Sequence, residues 1–413
     1  MIAHLLVALA VLLTAAKLGG VLAARLGQPP VLGELLAGVA LGALPALGLH
    51  GTEGLARDAV LEALAELGVI LLLFEVGLST RFADLVKVGA SAFLVACIGV
   101  VVPMALGYGV GAWLLPEASP VAHLFLGAAL SATSVGITAR VLRDMGRIGS
   151  PAGQIVLGAA VIDDVLGLLV LAVMVGLAGG GGGSGVMTVL AWVGAKAVGF
   201  LGVALVAGRW AAPRLFAIAA RLRGQGVLFT LALVVCFALS WAASAVGLAP
   251  IVGAFAAGLV LEGVPFAELS DGAERLEERL TPLAAVLVPL FFVRMGLAVD
   301  LGALGTGSLA LAGALSVAAI LGKQACALAV VTPGVDRLAV GLGMIPRGEV
   351  GLIFANIGMS LAPGGRPLLG PGAFAAIVAM VLVTTLVTPP LLRWRMGTAP
   401  AAAAGPAPTV RAA

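Results

Sequence analysis

Apolar runs of about 20 residues, the length a helix needs to cross a bilayer, recur along this chain almost from end to end. Short polar stretches separate them. The pattern predicts about thirteen spans, near 2–24, 30–46, 59–79, 89–115, 121–143, 152–176, 186–207, 226–246, 248–262, 281–299, 306–330, 336–361 and 371–392. The fold class read from it is an all-α polytopic membrane protein, with residues 1–395 as one transporter domain. The first run lacks a basic leader and a clear cleavage site, so it reads as a retained helix. Three segments fall outside the pattern. The glycine run 179-GGGGGSG-185 reads as a flexible outer connector. The mixed charges of 264-VPFAELSDGAERLEERL-280 read as an amphipathic helix on the cytoplasmic surface. The Ala- and Pro-rich residues 396–413 read as a disordered cytoplasmic tail.

The placement of charge orients the chain. With the N-terminus outside, alternate loops on one side collect Arg25, Arg81, Lys87, Arg140, Arg143, Arg147 and the arginines at 209, 214, 221 and 223. Arg275, Arg279, Arg337, Arg393 and Arg395 fall on the same side, and the opposite loops hold little beyond Arg57 and Arg366. By the positive-inside rule this predicts an external N-terminus and a cytoplasmic C-terminus in a plasma (inner) membrane.

Composition excludes other classes. Of 413 residues 61% are hydrophobic and 10% charged, against about 25% charged in a soluble domain. Cys97, Cys236 and Cys326 all lie in apolar runs without CxxC spacing, which suggests packing residues and not disulfides or resident metal ligands. No phosphate-binding glycine loop appears, so no nucleotide, nucleic acid or cofactor is expected, and an ion gradient is the expected energy source.

The candidate chemistry sits where charge interrupts the apolar pattern. In 161-VIDDVLGLLVLA-172, Asp163 and Asp164 stand side by side within a span, at a cost of about 2.5–3.5 kcal/mol each on insertion scales. Adjacent helical residues point about 100° apart, so the two carboxylates cannot close on one water as in an aspartyl protease. The spacing suits a helix between a water-filled cavity and a neighbouring domain, with one acid toward each. A carboxyl group in such a place holds a proton or a metal cation, one excluding the other, which is the essence of antiport. Lys323, in 319-AILGKQACALAV-330, either pairs with an aspartate until a cation displaces it or snorkels toward the cytoplasmic surface.

A weak internal repeat joins these features. The stretch 71-LLLFEVGLSTRFADL-85 matches 290-LFFVRMGLAVDLGAL-304, seven spans later and therefore inverted. The repeat requires the fifth and twelfth spans to correspond, and both are interrupted: one by 131-SATSVGITAR-140, with Thr133 and Ser134, the other by 343-GMIPRGEVG-351, with Arg347 and Glu349. Paired discontinuous helices are a sequence pointer to a transporter's ion site. Glu75 and Arg294 occupy matching places, but inverted topology puts them in opposite leaflets, against direct pairing. Glu75 either lines the inward cavity or is neutralised.

Together these motifs resemble the sodium/proton antiporters of the monovalent cation:proton antiporter-2 family. The likeness runs from 25-RLGQPPVLGELLAGVALG-42 through 158-GAAVIDDVLGLLVLA-172 and 248-LAPIVGAFAAGLVLEG-263 to 344-MIPRGEVGLI-353 and 381-VLVTTLVTPPLL-392. It implies thirteen spans, a homodimer in the lipid bilayer, and a mobile core, about 89–176 and 306–392, moving past a dimerisation domain like an elevator. It implies Asp164 as the principal ligand of transported Na⁺ (or Li⁺), Asp163 paired with Lys323 until the ion arrives, and Thr133 close to the ion. Ser134, Arg347 and Glu349 would support the helix breaks. By analogy, paired acids go with electrogenic exchange. Where many relatives carry an acid after the Gly-Leu of the third span this chain has Ser79, with Glu75 one turn earlier as a candidate cavity acid. The function read from all this is exchange of Na⁺ or Li⁺ for H⁺, not enzymatic catalysis. K⁺/H⁺ exchange on the same scaffold is the alternative, and a sodium-coupled organic-solute symporter is a reading from another class.

Overall fold

A computed structural model of the chain describes residues 2–45, 54–55, 58–178, 183–221, 226–262, 264, 276–297, 306–361 and 367–397. Sixteen α-helices and no strand occur among these residues. They are α1 (Ile2–Arg25), α2 (Pro30–Ala43), α3 (Ala59–Leu78), α4 (Phe82–Lys87), α5 (Gly89–Leu114), α6 (Pro120–Ser131), α7 (Val135–Asp144) and α8 (Pro151–Ala178), followed by α9 (Gly183–Ala220), α10 (Val227–Ala245), α11 (Pro250–Leu261), α12 (Leu276–Leu297), α13 (Thr306–Gln324), α14 (Arg337–Gly343), α15 (Glu349–Ser360) and α16 (Pro371–Met396).

Among the described residues nine stretches are long and apolar enough to cross a membrane, α6 and α7 counting as one. Shorter apolar helices stand beside them, α2, α11 and residues Val350–Ser360 of α15, and α3 carries the acids Glu62, Glu66 and Glu75 in its apolar run. Helix starts follow local chemistry. Pro30, Pro120, Pro250 and Pro371 stand at first-turn positions, where a missing N–H costs nothing. Asp58, Ser119 and Asp336 cap α3, α6 and α14 by accepting from exposed backbone N–H groups.

The helices pack in two groups. In one, α2, α3, α11 and α12 interlock, with α1 against α2 and α10 against α11. Glycines let their backbones touch: Gly77 of α3 meets Gly258 of α11, and Gly296 of α12 meets Gly38 of α2, with no room for a Cβ at any of the four. The two crossings are counterparts. Each joins a helix carrying the Gly-Leu repeat motif to a Pro-initiated short helix from the other half, as inverted repeats require. The second group is α5–α8 with α13–α16, and in it α5, α6, α8, α13, α15 and α16 enclose their own apolar core around Phe125, Leu315, Phe354 and Met380. The groups meet where α7 lies on α2 and α3 and where α16 touches α2, and α9 runs between α8 and α11.

Several sequence expectations change. Gly183–Gly185 begin α9 instead of ending a connector, and α9 continues to Ala220, well past the expected 207. Along this extension Arg209 lies over the Phe82 ring and Arg214 over the Trp210 ring, cation–π contacts that place both charges against apolar rings. Residues 276–280, expected in a surface helix, form the first turns of α12, with Leu276 and Leu280 buried. The remainder of that surface helix (265–275), glycines 179–182 and the tail from 398 lie outside the described residues. Helix α4, which the apolar pattern does not signal, follows α3 directly.

Candidate functional site

The site begins with two helix interruptions that cross. Helix α6 ends at Ser131 and α7 starts at Val135, while α14 ends at Gly343 and α15 starts at Glu349. The Ser134 N–H donates to the Pro346 carbonyl across the crossing at 2.9 Å. Thr138 Oγ1 donates to the Gly343 carbonyl at 2.7 Å, and Thr385 Oγ1 of α16 donates to the Arg347 carbonyl at 2.9 Å. Gly348 leaves room for the crossing: a Cβ would fall 2.7 Å from Ser134 Oγ and 2.9 Å from its Cβ.

Arg347 is wholly buried. Its guanidinium donates to the carbonyls of Met344 (3.1 Å) and Ile345 (2.6 Å) at the end of α14, and to that of Ala319 in α13 (3.2 Å). Broken helices in a membrane leave carbonyls that water cannot solvate; Arg347 satisfies two of them, at Met344 and Ile345, and its third bond ties the break to α13. The Glu349 side chain lies outside the described residues, and only its place at the start of α15 is known.

Asp163 and Asp164 of α8 face different surroundings. Asp163 is 1% exposed and accepts from the Thr133 N–H at 2.8 Å and from Lys323 Nζ at 3.2 Å, both at Oδ2. Lys323 is fully enclosed, so it does not snorkel to the surface. Gly99 of α5 makes space for it: a Cβ there would lie 3.0 Å from Lys323 Nζ and 3.1 Å from Cys326 Sγ. Asp163 Oδ1, Thr133 Oγ1 and Ser134 Oγ are buried oxygens without a hydrogen-bond partner, an unusual concentration of unused acceptors at one crossing. Oxygen acceptors of this kind are what a hard monovalent cation takes as ligands.

Asp164 lines a cavity of about 420 Å³ between the two helix groups. One wall is formed by Gly167, Leu171, Val350, Ile353 and Phe354, the other by Val69, Ile70, Ile251 and Phe291. Glu62, Glu66 and Arg294 stand at the end where α3 begins, and Arg294 bonds Glu62 at 3.0 Å.

Glu75 lies toward the other end of α3. It is buried and ion-paired with Arg143 of α7 at 2.5 Å, so it is neutralised and does not line the described cavity, and it does not meet Arg294. Beside it Arg140 bonds Glu34 of α2 at 3.3 Å and Asp144 at 3.0 Å. Glu34, Arg140, Arg143 and Asp144 have no place in the sequence-derived site. Glu34 carries the signal that would have found it, an acid inside an apolar run. The arginines read only as flanking positive charge.

Comparison with known proteins agrees with this architecture. A family model described as sodium/hydrogen exchanger, transmembrane, matches residues 9–394. The chain is 39% identical to the high-affinity Na(+)/H(+) antiporter NhaS3 of Synechocystis, over 95% of this chain and 90% of that protein. It is 33% identical to the Na(+)/H(+)-K(+) antiporter GerN of Bacillus cereus, over 94% and 95% of the two chains. Among solved structures, the sodium proton antiporter MjNhaP1 of Methanocaldococcus jannaschii superposes with a TM-score of 0.70 over 95% of this chain and 96% of that one, at 17% identity, a likeness of fold. With the crossed helix breaks, the inverted glycine crossings and matching relatives along nearly its whole length, the chain belongs to the transmembrane sodium/hydrogen exchanger family.

Proposed function

We propose that this chain exchanges Na⁺ for H⁺ across a membrane by alternating access, with Asp164 as the principal cation ligand. The observation that carries this reading is the division of labour between two adjacent carboxylates. Asp164 lines a cavity, while Asp163 is enclosed with Lys323 and the Thr133 N–H at the crossing of two broken helices. A carboxylate reached from a cavity binds either a proton or a cation, so loading one requires release of the other. Arrival of Na⁺ beside Asp164 competes with Lys323 for the negative charge of the pair. Lys323 then gives up its proton, and the unused oxygens Thr133 Oγ1, Ser134 Oγ and Asp163 Oδ1 complete the coordination. If Asp163–Lys323 and Asp164 both change protonation in a cycle, more than one proton moves for each Na⁺ and the exchange is electrogenic.

The cavity lies between two helix groups, and this supports movement of the α5–α8 and α13–α16 group against the other as the alternating step. The weight of arginine on one side supports an external N-terminus and a cytoplasmic C-terminus. A homodimer in the plasma membrane, as the family resemblance implies, completes the reading.

Proteoliposomes with an imposed pH gradient test it. Added Na⁺ should dissipate the gradient, K⁺ should do so less, and Asp164→Asn should abolish the response. Normal exchange by Asp164→Asn would overturn the site, and an equal response to K⁺ would assign the chain to K⁺/H⁺ exchange.

A further inference from the structure

Helix α3 carries an ion pair near each end, and the two differ in what they join. Near its start Glu62 bonds Arg294 of α12, a neighbour within the same helix group, at the mouth of the Asp164 cavity. Thirteen residues later, about 20 Å along the helix, Glu75 bonds Arg143 of α7, which belongs to the crossing that holds Thr133 and Ser134. A second bond in the same place joins Glu34 of α2 to Arg140 of α7. Among the described residues, the end at the cavity mouth thus has an ion pair within one helix group, and the opposite end has two that tie one helix group to the other. Glu34 and Glu75 are nearly inaccessible, Arg140 and Arg143 are little exposed, and Asp144 holds Arg140 from its own helix.

We infer that Glu75–Arg143 and Glu34–Arg140 form a latch that holds the conformation with the Asp164 cavity open at the α3 start. Alternating access requires α7 to move relative to α2 and α3, and neither bond can survive that movement. Enclosed ion pairs are insulated from the screening that weakens surface pairs, so they bias the equilibrium toward the state that makes them. Glu34 and Glu75, once parted from the arginines, would leave two carboxylates facing the opposite opening. There they would attract the cation leaving Asp164, so the same acids close one state and line the exit of the other. This rests on the alternating-access reading above, and it concerns the balance between states, not the ion site.

The test is a single cysteine at Ile353, a cavity-lining position, in the full chain with Cys97, Cys236 and Cys326 replaced by serine. The protein is reconstituted in liposomes and its labelling by a membrane-impermeant maleimide is timed. Replacing both Glu75 and Arg143 by methionine keeps volume and removes the pair without stranding a charge. Labelling at 353 should slow several-fold, and the swap Glu75→Arg with Arg143→Glu should restore it. Unchanged labelling in a monodisperse Met pair, or in the swap and Met pair alike, would overturn the latch. If the Met pair fails to fold, Glu34→Gln is the second variant, with the same slowing expected and unchanged labelling again decisive. Altered labelling in a chain that shows no Na⁺/H⁺ exchange would sink the antiport reading and leave the latch standing.

Discussion

Lys323 Nζ stands 3.2 Å from Asp163 Oδ2 with both side chains sealed from solvent, one on α13 and the other on α8. The bond joins two helices far apart in sequence beside the crossing. Removing one member leaves the other charge enclosed without its partner, a loss of about 3–5 kcal/mol for a buried pair. Lys323→Met should therefore lower the thermal midpoint of the detergent-purified protein markedly, and adding Asp163→Asn should recover most of it. Equal destabilisation in the single and double variants would mean the bond contributes nothing specific.

Function should respond differently from stability at the same lysine. Lys323→Gln removes one proton carrier while leaving Asp164 in the cavity. Exchange should persist but lose its dependence on membrane potential, measured as the Na⁺-driven pH response at clamped potentials. A voltage response equal to that of the unmodified protein would exclude Lys323 as a carrier.

Arg347 serves the crossing itself. The two carbonyls of the break, Met344 and Ile345, lose their donor in Arg347→Met, and leaving buried acceptors unmet costs about 1–3 kcal/mol each. Thermal stability and exchange should both fall. Lysine should not rescue, because a point ammonium cannot reproduce the guanidinium fork. Full rescue by Arg347→Lys would show that charge alone is needed.

Gly348 and Ser134 form a contact that admits a compensating test. Gly348→Ala drives a methyl against Ser134 Oγ and Cβ, and overpacking of this kind costs about 1–3 kcal/mol. The thermal midpoint should fall in Gly348→Ala and return when Ser134→Gly is added. Failure of the double variant to recover would place the effect in the backbone and not in that contact.

Much of the fold could be read from the chain because a bilayer leaves few choices. Runs of about 20 apolar residues must be helices, and Gly, Pro and buried charge mark where they break. The glycines of 71-LLLFEVGL-78 and 290-LFFVRMGL-297 revealed an inverted relation that appears in space as the Gly77–Gly258 and Gly296–Gly38 crossings. The divergence of Asp163 and Asp164 follows from their adjacency on one helix. What escaped depends on long-range pairing. Arg140 and Arg143 look like ordinary flanking positive charge until the fold brings Glu34 and Glu75 against them. The length of α9 escaped because hydropathy ends an apolar run where arginine begins, whereas the helix itself continues past Arg209 and Arg214. Gly99 gave no signal, since its role is only to leave room for Lys323.

The central claim is that one carboxyl site holds H⁺ or Na⁺ in turn, and proton release on Na⁺ binding measures it most directly. Purified protein in weak buffer, mixed with NaCl while a pH indicator is followed, should release protons in proportion to bound Na⁺, and Asp164→Asn should release none. Saturable Na⁺ binding by the unmodified protein with no accompanying acidification would contradict the account.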